Sequence, residues 1–143
     1  MAIVRPVTKT LISVPNWGVP ITDEVNRLTT LTGSNVPTAW TNLPLVNGWS
    51  ISSPSAYRKV GDMVQIRGAI QSGTIAGNTI LATLPVGFRP TYIHYFTQPY
   101  YYAGWQNGVL AVNSSGNLII SIVALAGAPE PLSLDGITFT TIV

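Results

Sequence analysis

Ionised side chains are scarce in this sequence. Only 8% of its 143 residues are charged, about a third of the usual share in soluble globular domains, whereas 46% are hydrophobic. Surface positions must therefore be filled mainly by Thr, Ser, Asn, Gln and Gly. Because charge keeps protein surfaces from adhering to one another, this composition favours an oligomer or a larger assembly over a free monomer.

Residue types that carry chemistry are absent or rare. The sequence has no cysteine, which excludes disulfides and thiolate catalysis, and His94 is its one histidine. Five acidic residues scattered along the chain make a poor source of metal ligands. The formal net charge of +2 is too weak a field to indicate nucleic-acid binding. We therefore expect no metal, no cofactor and no nucleic-acid partner.

Long apolar runs are absent as well. No segment approaches the roughly 20 consecutive apolar residues of a transmembrane helix. The N-terminus lacks the apolar core of a signal peptide. We therefore expect no membrane insertion, and we expect a chain that is made and kept in the cytoplasm unless another component carries it out.

The first 35 residues predict an extended arm followed by a short helix. Residues 1–18 alternate polar and apolar side chains around Pro6 and Pro15, which indicates extended backbone. Residues 21–32 change to helical spacing, and Gly33 is a stop signal. A helix of about three turns is marginal alone, so it packs either on its own domain or against its copies around an axis. Its apolar stripe consists of Ile21, Val25, Leu28 and Leu31.

Residues 36–143 predict a β-domain. Short runs rich in Val, Ile, Thr, Tyr and Phe are separated by turn residues, which is typical of antiparallel sheets. Their number and spacing favour an antiparallel, jelly-roll-like β-sandwich, and the fold class is mainly β. The predicted strands are 56–60, 63–71, 79–85, 91–105, 108–113, 118–125 and 136–143.

The stretch 57–68 concentrates charged residues in a sequence otherwise poor in them. Gly61 and Asp62 separate two segments whose side chains alternate, which predicts a tight turn between half-buried strands. Lys and Arg on solvent faces or strand edges also discourage unwanted pairing. The pattern favours a structural hairpin over a basic ligand site.

Catalytic patterns are poorly supported. His94 lies in the aromatic segment "TYIHYF", and no GxSxG motif accompanies it. A catalytic carboxylate pair would come from Asp62, Glu130 and Asp135, each of which has turn-like neighbours. We predict that the chain is not an enzyme, and a hydrolase that uses these carboxylates is the catalytic alternative.

An aromatic cluster occupies the segment "TYIHYFTQPYYYAGWQNG". Aromatic rings stack on sugars and anchor protein interfaces. Alternation along a strand places Tyr100 and Tyr102 on one face and Tyr101 on the other, so at least one ring leaves the core side. The pattern favours core and subunit contacts, with a glycan site as the alternative. The candidate binding residues are Tyr100, Tyr101, Tyr102 and Trp105.

Four motifs occur together between residues 40 and 139: "AWTNLPLVNGWS", "AYRKVGDMVQIRGAIQSGTI", "LPVGFRP" and "LSLDGITF". As a set they resemble the C-terminal β-domain of bacteriophage fibre, spike and minor structural proteins, especially from phages of actinobacteria and other Gram-positive hosts. The stretch "TKTLISVPNWGVPITDEVNRL" is similar to the short segment that precedes this domain in small phage structural proteins. The segment "YFTQPYYYAGWQNG" is more aromatic than the polar loop of that family.

The resemblance implies a non-enzymatic, homotrimeric virion component made in the host cytoplasm. Residues 1–18 would attach it to other virion proteins, the helix would associate near a threefold axis, and the β-domain would project outward. Its place on the particle would be a head or tail fibre, a spike or a capsid decoration. The alternative is an adhesion module of the phage tail that binds a receptor or surface glycan of the host.

Overall fold

The computed structural model describes residues 36–121 and 125–142. The predicted arm of residues 1–18 and the helix residues Ile21, Val25, Leu28 and Leu31 lie outside this part of the chain. From Pro37 onward the described residues form one compact unit. Every regular element in it is a β-strand, which confirms the mainly β class. Within the described ranges no helix is long and apolar enough to cross a membrane.

The described strands pair antiparallel throughout the sheet. Its strand order is β1-β2-β3-β8-β5-β6-β7-β4, and β9 pairs with β3 next to β8. The bounds are β1 Thr41–Asn42, β2 Ser50–Val60, β3 Met63–Gln71, β4 Ile80–Thr83, β5 His94–Tyr101, β6 Trp105–Val112, β7 Asn117–Ile120, β8 Leu132–Ser133 and β9 Ile137–Thr140.

These strands form one curled sheet, so the two separate sheets of the predicted sandwich are not seen among them. The short strand β8 makes the sheet continuous, because Leu132 pairs with Ile70 of β3 on one side and with Tyr100 of β5 on the other. The ends of the sheet also meet, since Leu45 bridges to Ala82 of β4. Curling allows one sheet to enclose its own apolar face.

Aliphatic side chains fill the inside of the curl. Strand β3 shows the alternation, with Val64, Ile66 and Ile70 buried and Met63 and Arg67 exposed. Removal of each such side chain from water contributes roughly 1.5–3 kcal/mol. The largest fully buried side chains include Ile70, Leu81, Leu84, Leu110, Leu118, Ile120, Leu132, Leu134 and Ile137.

The long strand β2 contains an irregularity at Pro54. Its register with β3 shifts between Ile51 and Ser53 and again between Ser53 and Ala56. Proline cannot donate to the ladder, so the strand bulges there. Across the pair, Gly68 has a φ of +100°, and a Cβ on it would lie 2.3 Å from the carbonyl oxygen of Pro54. This crossing therefore requires glycine.

Strand β3 spans the residues that the sequence predicted, and the turn before it also confirms the prediction. Gly61 has a φ of +60° and lies between Val60 and Met63, which pair at the end of the hairpin. The predicted strand 91–105 is wrong, because it contains a complete hairpin. Strand β5 ends and β6 begins within it, and the chain reverses at residues 102–104.

Backbone conformation explains where this second hairpin turns. Ala103 has a φ of +52° and Gly104 a φ of +135°, and the N–H of Tyr102 donates to the carbonyl oxygen of Gly104 at 3.0 Å. Positive φ at the turn matches the twist of the flanking strands. The predicted break between strands 91–105 and 108–113 is also wrong, since Asn107 and Gly108 belong to the regular ladder of β6.

Candidate functional site

The tip of the β5–β6 hairpin carries an exposed aromatic pair. Tyr101 ends β5 and lies directly opposite Trp105, the first residue of β6. Their rings meet edge to face, with centroids 5.6 Å apart and planes at 78°. Trp105 is 69% exposed and Tyr101 44%. The edge-to-face contact orients both rings while it leaves a large part of each open to solvent.

Tyr102 adds a third ring to the tip and is held from two sides. Its ring packs on Gly127, where a Cβ would come within 2.3 Å of it. Its carbonyl oxygen accepts the Nε2–H of Gln106 at 2.8 Å. The side chain is 43% exposed. Tyr102 therefore presents one ring surface outward from a supported position.

Tyr100, the fourth aromatic candidate, belongs to the core. It is only 2% exposed. Its hydroxyl accepts the N–H of Ala126 at 3.0 Å and donates to Oε1 of Gln106 at 3.1 Å. A ring in this position cannot stack on an external ligand. The structure thus brings Tyr101, Tyr102 and Trp105 together at the surface and places Tyr100 beneath them.

The segment before β8 fixes the base of this aromatic tip. Tyr101 donates its N–H to the carbonyl oxygen of Pro131 and accepts the N–H of Glu130, both at 2.9 Å. Pro129 in turn accepts the N–H of Ser72 at 3.2 Å. Main-chain bonds therefore tie the Tyr101 end of the tip to the segment before β8, which is itself bonded to Ser72.

The outer face of the same hairpin is free of charge. Strands β5 and β6 contain no Asp, Glu, Lys or Arg. Tyr95 lies on this face at the end away from the tip and is 58% exposed. The aromatic tip therefore continues into a neutral surface made of Thr, Pro, Asn and Val side chains, which a partner can cover without removing ionised groups from water.

His94 packs among aromatic rings. It stacks on Phe139 with centroids 5.9 Å apart and on Phe96 at 6.4 Å. Neither ring is a hydrogen-bond partner that would orient an imidazole as a general base. The observed surroundings match a packing role for this residue.

The carboxylate candidates lie at turns and chain connections. One carboxylate oxygen of Asp135 accepts the N–H of Gly68 at 2.8 Å, which fastens the β8–β9 turn to β3. Asp62 lies in the β2–β3 turn, and its carbonyl oxygen accepts the N–H of Thr141 at 2.8 Å. Glu130 is exposed in the segment before β8. Among the described residues no group of three potential metal-ligating side chains is found.

A cluster of one tryptophan and two arginines was not predicted from the sequence. The guanidinium carbons of Arg58 and Arg67 lie 4.5 and 4.0 Å from the ring centroid of Trp40. The pairing of Thr41 with Tyr57 places Trp40 beside Arg58. The sequence contained all three residues, but only the pairing of β1 with β2 shows that they meet.

Comparisons with known proteins identify related folds. No protein family and no curated protein sequence matches the chain. The receptor binding protein gp15 of Listeria phage PSA aligns with a TM-score of 0.63 and 20% identity, over 100% of this chain and 99% of that one. The head domain of lactococcal phage bIL170 aligns with a TM-score of 0.56 and 16% identity, over 73% of this chain and 98% of that one. The chain has a fold of bacteriophage receptor-binding proteins, as the resemblance of its motifs predicted.

Proposed function

We propose that the chain is a receptor-binding protein of a bacteriophage, a virion component whose β-domain attaches the particle to its host. The observation that carries this proposal is the structural likeness to gp15 of Listeria phage PSA over the full length of both chains. The head domain of phage bIL170 was described in a study that asks whether the receptor-binding domains of lactococcal phages share a common fold. Its similarity to this chain supports the same role. Of the two roles left open by the sequence, we therefore favour adhesion over a passive fibre, spike or decoration.

The aromatic tip is the contact surface that we propose for the receptor. Tyr101, Tyr102 and Trp105 are exposed, supported from below and close in the hairpin. Aromatic faces stack on the apolar faces of sugar rings, and rigid rings lose little conformational entropy on binding. A neutral surface glycan of the host fits this tip better than a strongly ionic ligand, because strands β5 and β6 contain no charged side chain.

Binding of the purified full-length chain to host cells tests the proposed surface. We expect Trp105→Ala to weaken binding by roughly tenfold or more, because truncation of a central aromatic anchor removes most of its contact area. Tyr95→Ala is the matched control, since this exposed ring lies on the same hairpin away from the tip. Equal binding by the wild type and the Trp105 variant would exclude the tip as the contact surface.

We also propose, as the sequence predicted, that the chain forms a homotrimer and that residues 1–18 attach it to the virus particle. Its support is the scarcity of charge, which allows large neutral surfaces to be buried between subunits at small electrostatic cost. The helix stripe of Ile21, Val25, Leu28 and Leu31 is the candidate for the subunit contact, although it lies outside the described residues.

A non-enzymatic mode of action is part of the proposal. Adhesion requires only a stable contact, and the fixed position of Asp135 as a turn acceptor supports a structural use of its carboxylate. Incubation of the purified chain with host cell-wall material is expected to release no soluble product. Release that disappears in an Asp135→Asn variant with a normal melting temperature would contradict this part.

A further inference from the structure

Trp40 contacts two arginine side chains on the outer side of the β1–β2–β3 region. The guanidinium carbon of Arg67 is 4.0 Å from the indole centroid and that of Arg58 is 4.5 Å from it. Ala56, which the register places opposite Arg67, is a small buried residue. A small side chain at that position leaves room above the sheet for the indole of Trp40 and the two guanidinium groups.

The two guanidinium groups are fixed by neutral contacts. Both stack on the indole, and the Nε–H of Arg58 donates to Oε1 of Gln65 at 2.9 Å. A cation–π contact is an attraction to a neutral ring, so it neutralises neither positive charge. Two positive charges therefore lie close to the indole of Trp40, in a chain of which only 8% of the residues are charged.

The donor geometry of such a pair suits a negatively charged ligand. A guanidinium presents several N–H donors in a planar fork. A guanidinium that is already held against a ring loses less conformational freedom when its donors bind. Its planar fork matches the geometry of a carboxylate or phosphate. Arg58 uses its Nε–H on Gln65. Its Nη groups carry four further N–H donors.

We infer that Arg58, Arg67 and Trp40 form an oxyanion-binding site for a phosphate or carboxylate group, separate from the aromatic tip. The sequence pattern of residues 57–68 favoured a structural hairpin over a basic ligand site. The inference keeps the hairpin, which the strand pairing shows, and departs from that prediction by adding a ligand site on its outer face. This site would bind an anionic group, whereas the proposed receptor contact binds a neutral glycan. The inference does not depend on the proposed function.

Two acidic polymers test this site on the full-length chain: inorganic polyphosphate and polygalacturonate, with neutral dextran as the blank. Binding is followed by the NMR signals of the Trp40 indole N–H and the arginine Nε–H groups. We expect these signals to shift with one or both acidic polymers and not with dextran. The polymer that binds more tightly identifies phosphate or carboxylate as the preferred group.

Variants separate a built site from general electrostatic attraction. Arg67→Lys keeps the net charge but removes the planar fork, and we expect it to weaken polymer binding by roughly fivefold or more. Lys59→Gln removes one neighbouring charge, and we expect less than a twofold change. Lys59 instead donates its Nζ–H to the carbonyl oxygen of Gly87 at 2.9 Å. Melting temperatures of both variants check that the fold is retained.

Several results would overturn the inference. One is wild-type binding by Arg67→Lys together with weaker binding by Lys59→Gln, which would show attraction by net charge alone. Another is the absence of any shift with either acidic polymer at low salt. Host-cell binding by the Trp105 variant reports on the aromatic tip, so the oxyanion site and the proposed receptor contact can fail independently.

Discussion

At the scale of single residues, Gly127 determines where the ring of Tyr102 lies. The glycine has no side chain, and the ring occupies the space that a Cβ would need. The residue is therefore a positioning residue for the aromatic tip, although it lies far from the hairpin in sequence. Tyr100 has a comparable supporting part, because its buried hydroxyl joins Ala126 to Gln106 beneath the tip.

We predict that Gly127→Ala weakens host-cell binding by the same factor as Tyr102→Ala. A Cβ at 2.3 Å from the ring forces the exposed tyrosine to move, whereas the core beneath it is retained. Because the ring of Tyr102 is partly exposed and can shift towards solvent, the loss of stability should stay near the low end of about 1–3 kcal/mol. Ala128→Ser is the control at an exposed neighbouring position.

Cell binding and thermal unfolding are measured on the same preparations. Full binding by Gly127→Ala, with a melting temperature close to that of the control, would show that the position of Tyr102 is irrelevant to attachment. If the melting temperature and the binding of Gly127→Ala fall together, the loss of binding is due to lower stability and not to the position of Tyr102.

At the scale of secondary structure elements, the β5–β6 hairpin depends on an unusual turn. Ala103 has positive φ, a conformation that costs roughly 1–2 kcal/mol for a residue with a Cβ. The flanking strands and the Tyr101–Trp105 contact maintain it. The β5–β6 hairpin, which carries the candidate site, therefore forms although the backbone conformation of Ala103 is locally unfavourable.

Ala103→Gly is predicted to stabilise the protein. Relief of the left-handed conformation should outweigh the added entropy of the unfolded chain, for a net gain of up to about 1 kcal/mol. For a chain of 143 residues such a gain raises the melting temperature by roughly 3–5 °C. Ala128→Gly, at an exposed position without positive φ, should lower it. An equal decrease for both variants would contradict the strain at Ala103.

Local signals decided which of these elements could be predicted. The alternation in β3 and the Gly61 turn were readable because the periodicity and the turn residues agree. The hairpin at 102–104 was missed because Ala103 is not a usual residue at positive φ, while Asn107 and Gly108 mimic a turn signal inside β6. The aromatic candidates were identified, but burial of Tyr100 depends on which face of the sheet turns inward.

At the scale of the whole molecule, the sheet is held together by long-range pairings. The two-residue strand β8 joins β3 to β5, and the Leu45–Ala82 bridge connects the ends of the sheet. Neither contact has a local signature, so the sequence predicted an antiparallel β-domain and missed its single curled sheet. The cluster of Trp40, Arg58 and Arg67 was missed for the same reason.

Association of the chain with its copies is predicted to be insensitive to salt. Neutral surfaces bury without ion pairs, so the screening that increases between about 0.1 and 1 M salt has little to act on. Native mass measurements at micromolar concentration are expected to give a trimer, and light scattering the same mass at both salt concentrations. A monomer throughout, or a trimer that dissociates as salt rises, would contradict the proposed assembly.

Competition for phage adsorption tests the receptor-binding role most directly. Host cells are first saturated with the purified full-length chain, and the adsorption rate of phage particles that carry this chain is then measured. We predict a dose-dependent decrease with the wild-type chain and with Tyr95→Ala, and the same decrease with Trp105→Ala only at concentrations roughly tenfold higher or more. Unchanged adsorption at saturating concentrations of the wild-type chain would contradict the role.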